Sequence, residues 1–185
     1  MEKDHYSQSC AELVLIRNEN YKKLYSTRIS NMSEYEEKLS TYIKEHKIQA
    51  KLLRFNQSTH SVAEAAAAVG ADAGDFVKSI CMIGPSDELI VAIVKGEHRA
   101  STTRVSRALG IKRPRIAEPD EMLQKSGYPA GGTPAFGYEA VFLMDPKVLE
   151  KEIVYSGGGS EQALTLMSPK EMKRVNGGLI ARVRS

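Results

Sequence analysis

From residue 128 to 138 the chain reads Tyr128-Pro129-Ala130-Gly131-Gly132-Thr133-Pro134-Ala135-Phe136-Gly137-Tyr138, and no other stretch limits the fold as much. Three glycines and two prolines in eleven residues exclude a regular helix or a central strand, because glycine loosens the backbone while proline removes a donor and fixes φ. The stretch must be a shaped loop. It is predicted to lie between a helix ending at Ser126 and an apolar strand starting near Ala140, so both its ends are held. Loops on a rigid scaffold are common sites of binding and chemistry. Gly131 and Gly132 would let backbone N–H groups approach a ligand, whereas Pro134 has none to offer. The same composition also suits a tight crossover that needs glycine for steric reasons.

The chain in front of this loop reads as an extension followed by one domain. Residues 1–32 are polar apart from Leu13-Val14-Leu15-Ile16 and are compatible with a helix. At Ser33 and Glu36 a capping-box pattern opens a helix whose apolar positions are Tyr35, Leu39, Tyr42 and Ile43. The domain is therefore expected to span residues 33–185. A strand is predicted over Ala50–Phe55, then a helix from the Ser61/Glu64 box to Gly70, with Val62, Ala65, Ala66 and Val69 as its apolar stripe. Val77–Ile83 reads as a strand, and Gly84-Pro85-Ser86-Asp87 turns the chain into Leu89–Val94. Six apolar residues in a row there predict a central strand buried on both faces.

A short helix over 102–109, a brief strand over Arg115–Ala117 and a helix from Pro119 to Ser126 precede the glycine loop. After it, strands are predicted at Val141–Met144, Ile153–Tyr155 and Ala163–Met167. Ser156-Gly157-Gly158-Gly159-Ser160 reads as a flexible hairpin between the last two. Ser168, Pro169 and Glu171 open a final helix that Asn176-Gly177-Gly178 ends. This order suits a mixed α/β domain with its sheet curled around one core.

Composition narrows the function classes. A net charge of +3 permits nucleic-acid contact without requiring it. Cys10 and Cys81 stand in unlike surroundings, one polar and one apolar, so no disulfide framework is expected and a reducing cytoplasm is. No apolar run reaches the length of a membrane span. The chain has no G-x-S-x-G, H-E-x-x-H, C-x-x-C or P-loop pattern, and His5, His46, His60 and His98 lack metal-ligand spacing, so neither metal nor cofactor is expected.

Several residues nevertheless invite chemistry. Lys78 interrupts an apolar strand and shares a face with Ile80 and Met82 by alternation. It either snorkels to the rim or enters a pocket, where its ammonium could hold a phosphate or an oxyanion. His60 precedes a helix cap and suits local hydrogen bonding or a site role. Arg99, Arg104, Arg107, Lys112, Arg113 and Arg115 form the densest positive stretch, either a solvated face or a track for a phosphate backbone.

Taken together, His60-Ser61-Val62-Ala63-Glu64-Ala65-Ala66, Val77-Lys78-Ser79 and Gly131-Gly132-Thr133-Pro134-Ala135-Phe136-Gly137 resemble the YbaK and prolyl-tRNA synthetase-associated domain family over about Ser33 to Val183. The resemblance implies a curled, barrel-like mixed sheet flanked by helices. It also implies deacylation of mischarged tRNA, Cys-tRNA(Pro) and Ala-tRNA(Pro) included. Lys78 matches the family's functional lysine, Ser79 the hydroxyl residue after it, and Gly131–Gly137 the loop shaping the aminoacyl pocket.

On that reading Lys78, Gly131 and Gly132 are the candidate catalytic residues. Lys78 would hold the terminal phosphate or the ester, and the glycine N–H groups would face the carbonyl. His60, Ser79, Thr133, Pro134, Phe136, Gly137, Tyr138 and Gly158 would bind substrate, with Phe136 and Tyr138 limiting the pocket or stacking on the base. Arg99, Arg104, Lys112 and Arg113 would contact tRNA, and a synthetase is a candidate partner. Ala135, Tyr138 and Thr165 depart from residues common in relatives: a proline, a histidine and an acid. A noncatalytic module binding tRNA or a synthetase is the competing class.

Overall fold

The computed structural model describes residues 32–185; the extension expected up to residue 32 lies, except for Met32, outside the described residues. Helix α1 (Glu34–Glu45) starts at Ser33, whose Oγ accepts the Glu36 N–H at 3.3 Å. The Glu36 carboxylate does not return the bond, so only half of the expected box forms. It turns inward instead, 2% exposed, where Oε2 lies 2.6 Å from Arg54 Nε and Oε1 accepts from Ser160 Oγ. A buried carboxylate needs partners of this kind.

The sequence-predicted order of elements is present. Strand β1 (Ala50–Arg54) leads to helix α2 (Val62–Val69), where the Ser61/Glu64 box forms in both directions. Its most buried residues are Ala65, Ala68 and Val69, so the apolar stripe is turned slightly from the one expected. A 3-10 turn (Ala73–Asp75) precedes the hairpin of β2 (Val77–Ile83) and β3 (Leu89–Lys95). Then follow α3 (Thr102–Leu109), β4 (Arg115–Ile116), α4 (Pro119–Ser126) and β5 (Val141–Met144). After a 3-10 turn (Pro146–Val148), the chain adds β6 (Val154–Gly157), β7 (Ala163–Met167), α5 (Pro169–Asn176) and a short β8 (Leu179–Ile180). The two 3-10 turns and β8 are too short to leave a periodic signal.

One sheet has the order β1-β7-β6 and is antiparallel throughout; the other, β4-β2-β3-β5-β8, is antiparallel at β4-β2-β3 and parallel from β3 onward. A bridge between Phe76 and Tyr155 joins β6 to the start of β2, so the sheets form one curled surface. Strand β3 is its centre, with Ile90, Val91, Ala92, Ile93 and Val94 all fully buried. Ile90, Ala92 and Val94 pack under α3 at Val105, while Leu89, Val91 and Ile93 face the core closed by Leu39 and Ile43 of α1. The third cluster seats α2 on β1, β6 and β7.

Because β3 and β5 are parallel, the chain must cross from one end of the sheet to the other between them. That crossover contains α3, β4, α4 and the glycine-rich loop, which is its last leg.

Asp145, at the end of β5, fixes the C-terminal segment. It has no exposed surface and accepts from the N–H groups of Lys147 (3.0 Å), Val183 (3.0 Å) and Arg184 (3.1 Å), and from Arg184 Nη1 at 2.5 Å. Burial alone would raise its pKa, but these bonds and the Arg184 charge together hold it below the usual value. A depressed pKa adds stability above the unfolded-state pKa of about 3.9, and that stability is lost as pH falls through the folded value. Asp145→Ala is expected to cost about 2–4 kcal/mol in urea unfolding at pH 7, and the gap from the wild type should narrow below about pH 4.

Candidate active site

Strand β2 is paired with β3 along one edge from Val77 to Ile83 but only in part along the other. There β4 covers Met82 and Ile83, Ala117 N–H bonds to the Cys81 carbonyl at 3.0 Å, and Tyr155 bridges Phe76. Alternate residues of a strand direct their backbone groups to the same edge, so Ser79 points its N–H and C=O where Cys81 does. No strand covers them among the described residues. The gap opens on a cavity of about 370 Å³.

The cavity wall is mostly apolar: Val62, Ala65, Phe76, Ile80, Ile116, Met122 and Leu164 contribute, with Ser156 and the Lys78–Ser79 pair among the polar exceptions. Phe76 and Tyr155 stack at 4.9 Å on one side. Cys81 also lines it, but burial pushes its thiol up to about 12, so it is no ready nucleophile. Ser156 Oγ lies 2.5 Å from Thr165 Oγ1, which donates to the Gly157 carbonyl at 3.1 Å. Thr165 is fully buried in this chain of bonds and does not line the cavity.

Lys78 enters the cavity wall, as one of its two sequence readings requires. Burial lowers its pKa, and the positive charge of Arg99 lowers it further. Its ammonium has no carboxylate partner among the described residues. Arg99 is held there by the C-terminal segment: its carbonyl accepts the Ser185 N–H at 2.8 Å, and Ala100 bridges Arg184.

The glycine loop contributes Ala130, Gly131 and Thr133 to the cavity wall. It is pinned at several points. Pro134 C=O accepts from Tyr138 OH at 2.8 Å and from Ser79 Oγ at 3.3 Å; Asn176 Nδ2 donates to Ala135 C=O at 2.9 Å; Thr133 Oγ1 donates to Pro129 C=O at 2.9 Å. The loop also lies directly on the β6–β7 hairpin, where Gly159 N–H donates to Gly132 C=O at 2.8 Å. A side chain at Gly132 would reach within 2.6 Å of Ser160 N, and one at Gly157 within 2.3 Å of Thr133 O. Close backbone approach therefore explains these glycines, the steric alternative the composition had left open.

The expected site residues divide accordingly. His60, Lys78, Ser79, Gly131 and Thr133 line one cavity. Gly132, Pro134, Gly137 and Gly158 shape or support its walls without lining it. The Gly132 N–H donates to Pro129 C=O at 3.2 Å, so it is not available to a ligand; the Gly131 N–H has no acceptor among the described residues. Phe136 is fully buried in the core beside Tyr42, and the Tyr138 ring packs between Tyr128 and Phe142. Neither lines the cavity, because the loop folds back and delivers both rings to the core. The hairpin at 156–160 is also less free than expected: Ser156, Gly158 and Gly159 are buried.

Sequence reasoning missed Glu161, whose carboxylate meets His60 Nδ1 at 2.8 Å, and Tyr155 and Met122, which read as ordinary apolar positions. Arg104, Lys112 and Arg113 lie outside the cavity wall on and after α3, Arg113 donating to Thr102 Oγ1 at 2.6 Å. Arg115 is paired twice with Glu121, at 2.6 and 2.5 Å. Among the described residues no three His, Cys, Asp or Glu side chains are grouped so as to hold a metal ion, and no helix is long and apolar enough to cross a membrane.

A family model for the aminoacyl-tRNA editing domain matches residues 56–175, which include the cavity-lining residues named above. The chain belongs to this family. Its relatives include the uncharacterized protein YwhH of Bacillus subtilis (strain 168), 25% identical over 120 residues that make up 64% of this chain and 76% of that one. Two solved structures are similar over nearly their whole length. Hypothetical protein APE2540 is 30% identical with a TM-score of 0.75, covering 80% of this chain and 99% of that one. A candidate trans-editing enzyme for prolyl tRNA synthetase is 26% identical with a TM-score of 0.77, covering 84% and 99%. The editing-domain fold of the family is the curled mixed sheet described above, and aminoacyl-tRNA editing is the activity class the family carries.

Gly157→Ala is expected to lower stability by about 1–3 kcal/mol, since its Cβ would meet backbone rather than a movable side chain. Chemical denaturation checks this, and amide exchange should rise in residues 130–133.

Proposed function

We propose that the protein is an aminoacyl-tRNA deacylase acting in trans, which hydrolyses the ester of a mischarged tRNA of the Cys-tRNA(Pro) or Ala-tRNA(Pro) type. The observation that carries this reading is the apolar cavity of about 370 Å³ lined by both Lys78 and Gly131, whose ammonium and N–H have no partner among the described residues. A side chain of cysteine or alanine size suits such a hollow beside a ribose. The name of the prolyl-synthetase relative points the same way.

An aminoacyl ester is already a reactive acyl compound. Holding it beside water and stabilising the developing oxyanion can supply much of the rate without a protein nucleophile. Lys78 is assigned to the terminal phosphate or the ester oxygen, and Gly131 N–H to the carbonyl. Ser79 N–H and C=O are offered to the amino acid from the open edge. His60 and Thr133 complete the wall, while Gly132, Pro134, Phe136, Gly137, Tyr138 and Gly158 act by holding the loop.

Arg99, Arg104, Lys112 and Arg113 are assigned to the tRNA acceptor end. No Asp or Glu occurs from residue 98 to 117, so this run offers the phosphates a positive face without local competition. The domain is taken as residues 33–185, because α1 contributes Leu39, Ile43 and Glu36 to the same core and hairpin. A prolyl-tRNA synthetase is the candidate partner in trans.

The test is a panel of misacylated tRNAs, Cys-tRNA(Pro) and Ala-tRNA(Pro) first. Release of the amino acid is expected, and Lys78→Ala should lower kcat/KM at least about a hundredfold. A fall in kcat would assign Lys78 to the ester; a rise in KM alone would assign it to the phosphate. Charged tRNA that is bound but keeps its amino acid would instead make the protein a noncatalytic binding module. Arg104→Ala and Arg113→Ala should each flatten the salt dependence of tRNA binding by about one unit of slope.

A further inference from the structure

At the mouth of the cavity, His60 Nδ1 lies 2.8 Å from Glu161 Oε1. Two bonds already tie these segments together, since the Glu161 carbonyl accepts from Thr59 N–H at 2.6 Å and Thr59 Oγ1 at 3.0 Å. His60 and Glu161 are each 56% exposed, and exposed pairs contribute little to stability, so the fold does not depend on this contact. Its effect is on the imidazole. With Nδ1–H donating to the carboxylate, Nε2 carries the lone pair and the ring is held in one orientation.

The imidazole also lies against the glycine loop. A Cβ at Gly131 would fall 2.3 Å from His60 Nδ1, and the Gly131 φ of +83° already disfavours any side chain. The missing side chain thus leaves room for the ring beside Gly131, a loop residue whose N–H is unclaimed among the described residues. A base and an oxyanion donor that line one cavity, with a carboxylate bonded to the base to orient it, form the constellation expected of a hydrolytic centre.

The geometry points to a His60–Glu161 dyad that serves as the proton acceptor for the attacking water, which makes His60 a further catalytic residue and Glu161 a positioning residue. This rests on the deacylase reading. Nε2 takes one proton from water while the water oxygen bonds to the ester carbonyl carbon. The bond from that carbon to the terminal ribose oxygen then breaks, and the imidazolium returns the proton to the ribose oxygen. The products are the free amino acid and a tRNA hydroxyl; the second water hydrogen leaves with the new carboxyl group.

The test is the pH–rate profile of deacylation on the most reactive misacylated tRNA for wild type, His60→Gln, His60→Ala and Glu161→Gln. The charged groups facing His60 are Glu161 from the β6–β7 hairpin and Glu64 from the first turn of α2; the glycine loop presents none. Wild type should show a kcat limb that rises with pH, as a base that must be unprotonated requires. His60→Gln should lose that limb and about 10²–10⁴ in kcat with KM nearly unchanged, and imidazole in the buffer should restore part of the rate to His60→Ala. Glu161→Gln should keep the limb and lower kcat by less than His60→Gln does, because the amide can still hold the ring but carries no charge to stabilise the imidazolium.

If wild type deacylates while His60→Gln retains its kcat within about twofold, or loses only affinity, the dyad is overturned and the deacylase reading stands. If wild type releases amino acid from no charged tRNA, both fail together.

Discussion

The site depends on an unfinished strand pairing. β2 is paired with β3 over all seven of its residues, yet among the described residues its outer edge is covered only at its two ends, by β4 and by the Tyr155 bridge. A strand edge left open inside a domain would ordinarily be a liability, because its backbone groups need partners. Here the gap is roofed by the glycine loop, and a cavity takes the place of a neighbouring strand. The same gap brings Lys78 to the cavity wall and turns Ser79's backbone toward the opening.

The remaining elements hold the roof at a fixed distance. The loop is fastened to β2 through Ser79, to its own end through Tyr138, to α5 through Asn176 and to the β6–β7 hairpin through Gly159. The hairpin is fastened in turn by Ser160 to the buried Glu36 of α1, which faces Arg54 of β1. Glu36 and Arg54 lie before the residues matched by the family model, so α1 and β1 support the site from outside the matched span. On the far side, Asp145 secures the C-terminal segment that lies against Arg99, whose charge adds to the effect of burial in lowering the Lys78 pKa.

Much of this was legible in the sequence. Element order follows from the alternation of apolar residues, the capping pairs and the glycine stops, all of which are local signals. Lys78 could be singled out because a charge in an apolar strand costs free energy unless a cavity or rim receives it. The contents of the cavity were harder to read. Phe136 and Tyr138 looked like pocket residues, but only the path of the loop reveals that both rings enter the core. Gly132 looked like an oxyanion donor, whereas its N–H is used within the loop's own turn. The pairing of His60 with Glu161 joins segments distant in sequence, and an exposed acid in a hairpin leaves no pattern by which to foresee it.

The central claim is that an aminoacyl group sits between the open edge of β2 and the glycine loop. A crystal structure of the protein soaked with a non-hydrolysable 3′-amide analogue of aminoacyl-adenosine tests it most directly. The expected density fills the gap beside Ser79, with the analogue's carbonyl oxygen within hydrogen-bond reach of Gly131 N–H and the nucleoside at the mouth near His60. An analogue bound elsewhere, with the space between residues 79 and 131 left unfilled, would contradict it.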